Sequence, residues 1–355
     1  MLLLLLCAFI VASFTLYFLY PIAVKIGFVD RPSKRKLHQG DIPLIGGISV
    51  FLPIVIVLQI QPELIANSQV FVFCAACFLL IGLLDDKFDL SVKLRIILTS
   101  AISIFLVIYS DIKIHQLGDL VGWGNLTLNN FEILFNVIAI IGAITAFNMV
   151  DGLDGLLGGL AIVTLSALAL LFAINEQYNV LLFCALIMVS LLPYIYCNLG
   201  LLPNKKRKVF MGDSGSLFIG FVVFWLFIES TQYHDTSPHI NSLHPVTVLW
   251  LIAIPLMDMA YTMIRRIRKK QSPFKADREH IHHVCHRLGL SSTQTLMLIC
   301  TFAILFASIG IIGEIYHFSE MIMFISFIIV FIGYYLCFTH IWKVSVLLRH
   351  VSNRF

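Results

Sequence analysis

Long apolar segments recur along the whole chain, separated by short polar loops. Each segment is close to the roughly 20 residues that a helix needs to cross a bilayer, and none shows the alternation of a half-buried strand. Helices also satisfy their own backbone hydrogen bonds, which a bilayer core requires. The pattern predicts eleven membrane-spanning helices, at 2–21, 44–61, 68–84, 94–110, 131–148, 157–175, 179–197, 215–230, 245–263, 294–313 and 319–340.

Composition supports the same fold class. The chain of 355 residues is 59% hydrophobic and 12% charged, whereas soluble domains are about 25% charged. No loop is long enough to form a separate soluble domain, and the chain has no soluble basic module that would bind nucleic acid. We therefore predict an all-α integral membrane protein, a polytopic bundle in which residues 1–355 form a single transmembrane domain.

The distribution of Lys and Arg predicts the orientation, because these residues concentrate in cytoplasmic loops. If the loop after the first helix is cytoplasmic, only Lys113 of the 24 Lys and Arg residues lies in an outside loop. The N-terminus is then predicted to lie outside and the C-terminus in the cytoplasm. This topology, together with attraction to anionic lipid headgroups, is enough to explain the net charge of +4.

Acidic and histidine residues on the predicted cytoplasmic side are grouped near helix ends. Taken alone, each group is an ordinary interfacial cluster or turn. All of them nevertheless lie on one face under a topology that was set by Lys and Arg only, which predicts a single site. The groups are DDKFD (85–89), NMVDGLDGLLGG (148–159), FMGDSGSL (210–217) and FKADREHIHHVCHRLG (274–289).

The residue types in these groups favour a metal-bound phosphate or diphosphate. Carboxylates suit a hard cation such as Mg²⁺, which commonly shares its ligand shell with substrate phosphates. Basic residues and the amides at helix N-termini suit the phosphates themselves. Zinc is an alternative, because His282 and His286 are four residues apart with Cys285 between them. Arg278 and Arg287 flank that cluster and would oppose a cation there.

A transporter is the other class to consider, and it would be expected to carry ionisable groups near the middle of the membrane. The predicted span centres are almost free of such groups. Asp258 is the most deeply placed acid, and it lies towards the cytoplasmic end of its helix. The residues therefore favour a membrane enzyme that transfers phosphoryl groups at the cytoplasmic surface.

In this order, the four groups resemble the motifs of the polyprenyl-phosphate N-acetylhexosamine-1-phosphate transferases, a bacterial family of the glycosyltransferase 4 type. The similarity begins at DRPSKRKLHQGDIPLIGG (30–47) and ends at HIHH (280–283), so it covers most of the chain. The segment SPFKADREHIHH (272–283) resembles the branch that uses UDP-GlcNAc. The branch acting on UDP-MurNAc-pentapeptide has a different histidine motif.

The resemblance implies transfer of GlcNAc-1-phosphate from UDP-GlcNAc to undecaprenyl phosphate, with release of UMP. It also implies a Mg²⁺ cofactor, with Mn²⁺ as an alternative, and priming of O-antigen or enterobacterial common antigen, a lipopolysaccharide-type pathway. The expected location is the bacterial inner membrane, with a periplasmic N-terminus and an active site facing the cytoplasm. A sister enzyme using another UDP-sugar (UDP-MurNAc-pentapeptide, or one for teichoic acid priming) remains an alternative. The oligomeric state stays open, with a homodimer as one option. A lipid-linked sugar transporter is less favoured.

The resemblance also assigns roles to residues at the matching positions. Asp85 and Asp86 are expected either to bind the metal or to position and deprotonate the lipid phosphate, and these two alternatives stay open. The expected metal ligands are Asp213, Asn148, Asp85 and Asp86. The expected catalytic residues are Asp85, Asp86, Asp151, Asp154 and His280. The expected substrate-binding residues are Lys36, His38, Asn148, Asn198, Arg278, His282 and His283. The contributing loops are those near 25–43, 85–93, 148–157, 198–215 and 264–293.

Overall fold

The computed structural model describes residues 1–32, 40–110, 112–201, 207–232, 243–274 and 279–341. Within these residues the chain is almost entirely helical, with one short antiparallel pair of strands, Val29–Asp30 (β1) and Ile42–Pro43 (β2). The helices are Leu2–Lys25 (α1), Gly46–Ile60 (α2), Ser68–Phe88 (α3), Val92–Tyr109 (α4), Glu132–Val150 (α5), Leu156–Ile174 (α6), Tyr178–Asn198 (α7), Gly212–Thr231 (α8), Pro245–Leu251 (α9), Ala253–Arg268 (α10), Ile281–Arg287 (α11), Ser292–Ile315 (α12) and Glu320–Thr339 (α13).

The predicted fold class, an all-α polytopic membrane protein, is confirmed, and each of the eleven predicted segments contains a helix. Nine helices of the described part are long and apolar enough to cross a membrane, and α9 with α10 makes a tenth if they form one span. These two helices meet at a bend of 82°. The remaining predicted span, α2, has only 15 residues. The orientation of the termini stays a prediction.

Helix α8 forms the centre of the bundle. It packs against α3, α5 and α2, and every residue from 214 to 228 is buried. An aromatic cluster fixes its C-terminal half, where Phe71 of α3 contacts Phe221 and Trp225 of α8. Burial on all sides is expected of a helix that is hydrophobic around its whole circumference.

Glycines bring the first turn of α8 very close to its neighbours. A Cβ atom added at Gly82 of α3 would lie 2.2 Å from the Cα atom of Ser214, and one added at Gly47 of α2 would lie 2.5 Å from the amide nitrogen of Gly215. Real Cβ atoms essentially never come this near to backbone atoms. The start of α8 is therefore held against α2 and α3 at positions that only glycine can occupy.

The strand β2 also fixes the entry to α8. Phe210 donates its amide to Pro43 O at 3.0 Å, and Gly46 donates to Phe210 O at 3.0 Å. Two local features differ from the sequence-based expectations. The helix α8 begins at Gly212 rather than near 215, which puts Asp213 in its first turn. The histidine motif, expected as a loop, forms the short helix α11.

Candidate active site

Asp86, near the C-terminal end of α3, caps the N-terminus of α8. Its Oδ1 atom accepts a hydrogen bond from the amide of Asp213 at 2.8 Å, and its Oδ2 atom accepts one from Ser214 at 3.1 Å. The first amides of a helix have no partner within the helix, and a negative charge is favourable there. Both oxygens of Asp86 therefore join the end of α3 to the beginning of α8.

Asp85 is buried, with only 5% of its surface exposed, and it has a positive partner. Its Oδ2 atom lies 2.5 Å from Nη1 of Arg95 in the first turn of α4, and its Oδ1 atom accepts a bond from the amide of Leu90 at 2.8 Å. The same Arg95 atom is 3.7 Å from Oδ2 of Asp213. Arg95 thus makes the crowded carboxylates of DDKFD electrostatically tolerable.

Asn148, at the end of α5, holds Asp213 from the other side. Its Nδ2 atom donates to Oδ1 of Asp213 at 2.6 Å and to Oγ of Ser216 at 2.8 Å. Because the nitrogen end of the amide faces these two oxygens, Oδ1 of Asn148 is left for a cation. The Asp213 side chain keeps about a third of its surface exposed, 37%, so this carboxylate is partly open to groups outside the bundle.

The glycine-rich segment between α5 and α6 adds two more carboxylates. Asp154 pairs with Nζ of Lys208 at 2.5 Å. Burial, followed by the negative charges of Asp213, Asp86 and Asp154, raises the pKa of Asp151 to about 8. This shift means that the surroundings of Asp151, its burial first of all, disfavour the charged form of its carboxylate.

Asn198, expected to contact substrate, joins two loops. Its Oδ1 atom accepts a bond from the amide of Gly155 at 2.6 Å, and its Nδ2 atom donates to Val209 O at 2.9 Å. The side chain is buried, with 3% exposure. These bonds fix the glycine-rich segment relative to the chain that enters α8, and substrate contact by Asn198 stays a prediction.

The histidines of α11 differ in their surroundings. His282 is buried, and a Cβ atom added at Gly152 would lie 2.4 Å from its Nε2 atom. Burial, followed by the neighbouring histidines, lowers the pKa of His282 to about 3, so this ring is neutral at pH 7. His280 bonds through Nδ1 to Asp258, at 2.8 Å. His283 lies beside His282, with ring centroids 4.1 Å apart.

Three expected site residues lie outside the described residues, namely Lys36, His38 and Arg278. Sequence reasoning missed Arg95 and Lys208 as site residues, because it counted both only as positive charges of cytoplasmic loops. The available signal for Arg95 was its place in the first turn of the helix that follows DDKFD. Lys208 gave no comparable signal, since its partner is 54 residues away.

Residues 68–231 match the family model described as glycosyl transferase family 4. The undecaprenyl-phosphate alpha-N-acetylglucosaminyl 1-phosphate transferase of Escherichia coli (strain K12) is 42% identical over 347 residues, which cover 98% of this chain and 93% of that protein. The proteins of the same name from Yersinia pestis and Haemophilus influenzae are 41% and 40% identical, over 96% and 98% of this chain and 93% and 96% of their own lengths.

The chain belongs to glycosyl transferase family 4. The resemblance found from the motifs is confirmed over nearly the whole length. The region matched by the family model begins at α3 and ends with α8, so it contains Asp85, Asp86, Asn148 and Asp213. Hydrogen bonds connect Asp213 to Asp86 and Asn148, and Arg95 links it to Asp85.

The described residues can be tested for their fit to a cation. Within the described ranges no group of three or more His, Cys, Asp or Glu side chains is arranged to hold a metal ion. Mg²⁺ needs fewer protein ligands, because it usually keeps several waters and binds one or two carboxylates together with substrate phosphates. The carboxylate of Asp213, with Oδ1 of Asn148 beside it, fits that requirement, and a cation there would share Asp213 with Arg95, whose Nη1 lies 3.7 Å from Oδ2. The oxygens of Asp85 and Asp86 are already engaged by Arg95 and by backbone amides.

Proposed function

We propose that this protein transfers GlcNAc-1-phosphate from UDP-GlcNAc to undecaprenyl phosphate, giving undecaprenyl-diphospho-GlcNAc and UMP. The observation that carries the proposal is the position of Asp213. It lies in the first turn of the most buried helix, held by Asn148 and faced by Arg95. The names of the relatives, together with their identity over nearly the whole chain, support this choice of substrates.

In the proposed reaction, a phosphate oxygen of undecaprenyl phosphate attacks the β-phosphorus of UDP-GlcNAc. The bond between that phosphorus and the oxygen bridging it to the α-phosphate breaks, and UMP leaves with the bridging oxygen. The lipid phosphate has a second pKa near 6, so most of it is already a dianion at pH 7 and needs no strong general base. Such transfers depend mainly on positioning and charge neutralisation.

Asp213 and Asn148 would hold Mg²⁺, with Mn²⁺ as the alternative. The chemistry that this cation supplies when bound is neutralisation of charge on the diphosphate. Asp86 positions Asp213 by capping α8, and Asp85 positions Arg95. We assign both carboxylates these positioning roles because their oxygens are already hydrogen-bonded. A guanidinium offers five donors in a planar fork, so Arg95 can bind Asp85 and still present donors to a phosphate oxygen.

The proposal also includes a cellular setting. The enzyme would lie in the bacterial inner membrane with its site facing the cytoplasm, the side on which the Lys and Arg pattern predicts the motif loops. It would carry out the priming step of O-antigen or enterobacterial common antigen synthesis.

A UMP-release assay on the purified protein tests the activity. UMP is expected only when UDP-GlcNAc, undecaprenyl phosphate and Mg²⁺ are all present, and omission of each in turn provides the controls. A panel that includes UDP-MurNAc-pentapeptide tests the sugar. Faster turnover with another UDP-sugar would refute the assignment of GlcNAc, and the absence of UMP release with every UDP-sugar would refute the transferase activity.

A further inference from the structure

Asp258, in the second turn of α10, is a fully buried carboxylate with three hydrogen-bond donors. Its Oδ2 atom lies 2.8 Å from Nδ1 of His280. Its Oδ1 atom accepts two bonds, from the amide of Ile281 at 2.9 Å and from the hydroxyl of Tyr334 at 3.0 Å. None of the surface of Asp258 is exposed. Three elements, α10, α11 and α13, therefore converge on one acid that the proposed reaction does not use directly.

The bond between Asp258 and His280 bears on which ring nitrogen carries a proton. If Asp258 is a carboxylate, it can only accept hydrogen bonds, and Nδ1 of His280 is then the donor. Nε2 is then the nitrogen left for an external group, and among the described residues it has no protein partner. A carboxylate that fixes the tautomer and direction of a working imidazole is a recurrent device in enzymes and metal sites.

The His280 ring belongs to a stack that leads to the proposed site. It is parallel to the ring of His282, with centroids 6.0 Å apart and an interplanar angle of 3°. The edge of His282 meets Gly152, the residue that follows Asp151. The His280 ring thus lies, one ring beyond His282, at the end of the bundle where the carboxylates of the glycine-rich segment lie.

We propose that Asp258 is a positioning residue for catalysis, which keeps the proton of His280 on Nδ1 and presents Nε2 to a phosphate oxygen of the nucleotide-sugar. Tyr334 holds the carboxylate in place through the other oxygen. The proposal rests on the transferase activity inferred above, and it gives Asp258 of α10 and Tyr334 of α13 a role in that site.

The substitution Asp258→Asn separates this role from a purely structural one. The Oδ1 atom of the asparagine can still accept from Ile281 and Tyr334, so the start of α11 keeps its cap. The new Nδ2 group takes the place of Oδ2 and donates to Nδ1 of His280. That reversal moves the ring proton to Nε2 and leaves the rest of the packing unchanged.

The first measurement is steady-state UMP release in a double-mutant cycle. Asp258→Asn should lower kcat/KM by about 10- to 100-fold, the usual effect of losing a partner that orients a histidine. Its melting temperature should stay close to that of the wild type. The matched background is His280→Gln, whose amide reaches the position of Nε2 but offers no counterpart of Nδ1. In the His280→Gln background, adding Asp258→Asn should cause no further loss of kcat/KM, since the effects of coupled residues are not additive.

The second measurement reads the tautomer directly and is independent of activity. In protein labelled with [¹⁵N]histidine, the ¹⁵N chemical shifts of His280, assigned by their disappearance in His280→Gln, should show a proton on Nδ1. The Asp258→Asn variant should show it on Nε2. A wild-type ring protonated only on Nε2 would overturn the proposal, and so would an equal loss of activity from Asp258→Asn in both backgrounds. If the wild type itself releases no UMP, the transferase activity fails, and this failure is distinguishable because the chemical shifts still report on the ring.

Discussion

The close approach of α3 to α8 at Gly82 gives the sharpest mutational prediction. In Gly82→Ala, the new methyl group would lie 2.2 Å from Cα and 2.3 Å from N of Ser214. Both are backbone atoms, so no side-chain rotation can relieve the overlap. Ordinary contact begins at 3.4 Å, which means that the two helices must separate locally by about 1 Å.

This separation acts directly on the candidate site. Gly82 is one turn before Asp86, whose bonds to Asp213 and Ser214 measure 2.8 and 3.1 Å. A further ~1 Å carries both beyond the range of a hydrogen bond, so α8 loses its cap and Asp213 shifts. Misplacement of this size costs about 100-fold in rate, whereas overpacking costs about 1–3 kcal/mol of stability. Turnover should therefore fall by roughly 100-fold in a protein that still folds.

Gly142→Ala in α5 is the matched control. It is also a glycine in a membrane helix, and a Cβ atom added there meets no heavy atom within 4 Å. Replacing a helical glycine by alanine stabilises by up to about 1 kcal/mol, so this variant should keep wild-type turnover. UMP release and thermal unfolding would be measured on all three proteins. Wild-type turnover in Gly82→Ala would refute the claimed coupling between the helix contact and the site.

Three further predictions concern the metal ligand, the buried ion pair and the buried histidine. Asp213→Asn should reduce turnover by orders of magnitude without affecting membrane insertion, and near-normal activity at saturating Mg²⁺ would contradict its assignment as a ligand. Arg95→Gln leaves the buried Asp85 without its charged partner and should lower the free energy of unfolding by about 2 kcal/mol; adding Asp85→Asn should restore part of that loss, and a thermal scan in which it does not would count against the ion pair. His282 has a pKa of about 3 in the folded protein against an ordinary 6.5, so the unfolded chain binds the proton first as the pH falls. The neutral His282 ring therefore contributes its full stabilisation of the folded protein above pH 6.5, and this contribution is lost progressively as the pH falls below 6.5. His282→Phe should flatten the dependence of the melting temperature on pH between about 7 and 5. An unchanged slope would contradict the neutral buried ring.

Hydropathy was sufficient to predict the helices because a bilayer imposes both length and apolar character on each span. It could not predict the 82° bend at Ile252 between α9 and α10. Every residue from 248 to 257 is apolar, so the pattern there reads as one continuous helix. A separate local signal is Pro255 in the first turn of α10, because a proline has no amide to donate to Leu251 O and is favoured near the start of a helix.

The sequence predicted which residues form the site better than it predicted the hydrogen bonds and ion pairs between them. The motifs identified Asp85, Asp86 and Asp213, but not that Asp86 caps the helix carrying Asp213, because that bond depends on a helix approach allowed by Gly82. Arg95 and Asp258 were noticed for their charge or depth only. Their partners were hidden because an ion pair between helices depends on how each helix is rotated, and residue spacing does not fix that rotation.

The fate of a ³²P label in the β-phosphate of UDP-GlcNAc tests most directly whether the protein transfers GlcNAc-1-phosphate. The purified protein would be given UDP-GlcNAc labelled with ³²P in the β-phosphate, together with undecaprenyl phosphate and Mg²⁺. Transfer of GlcNAc-1-phosphate predicts that the label enters the lipid fraction and that the released UMP is unlabelled. Label released in UDP with GlcNAc on the lipid, or no labelled lipid at all, would contradict the proposed function.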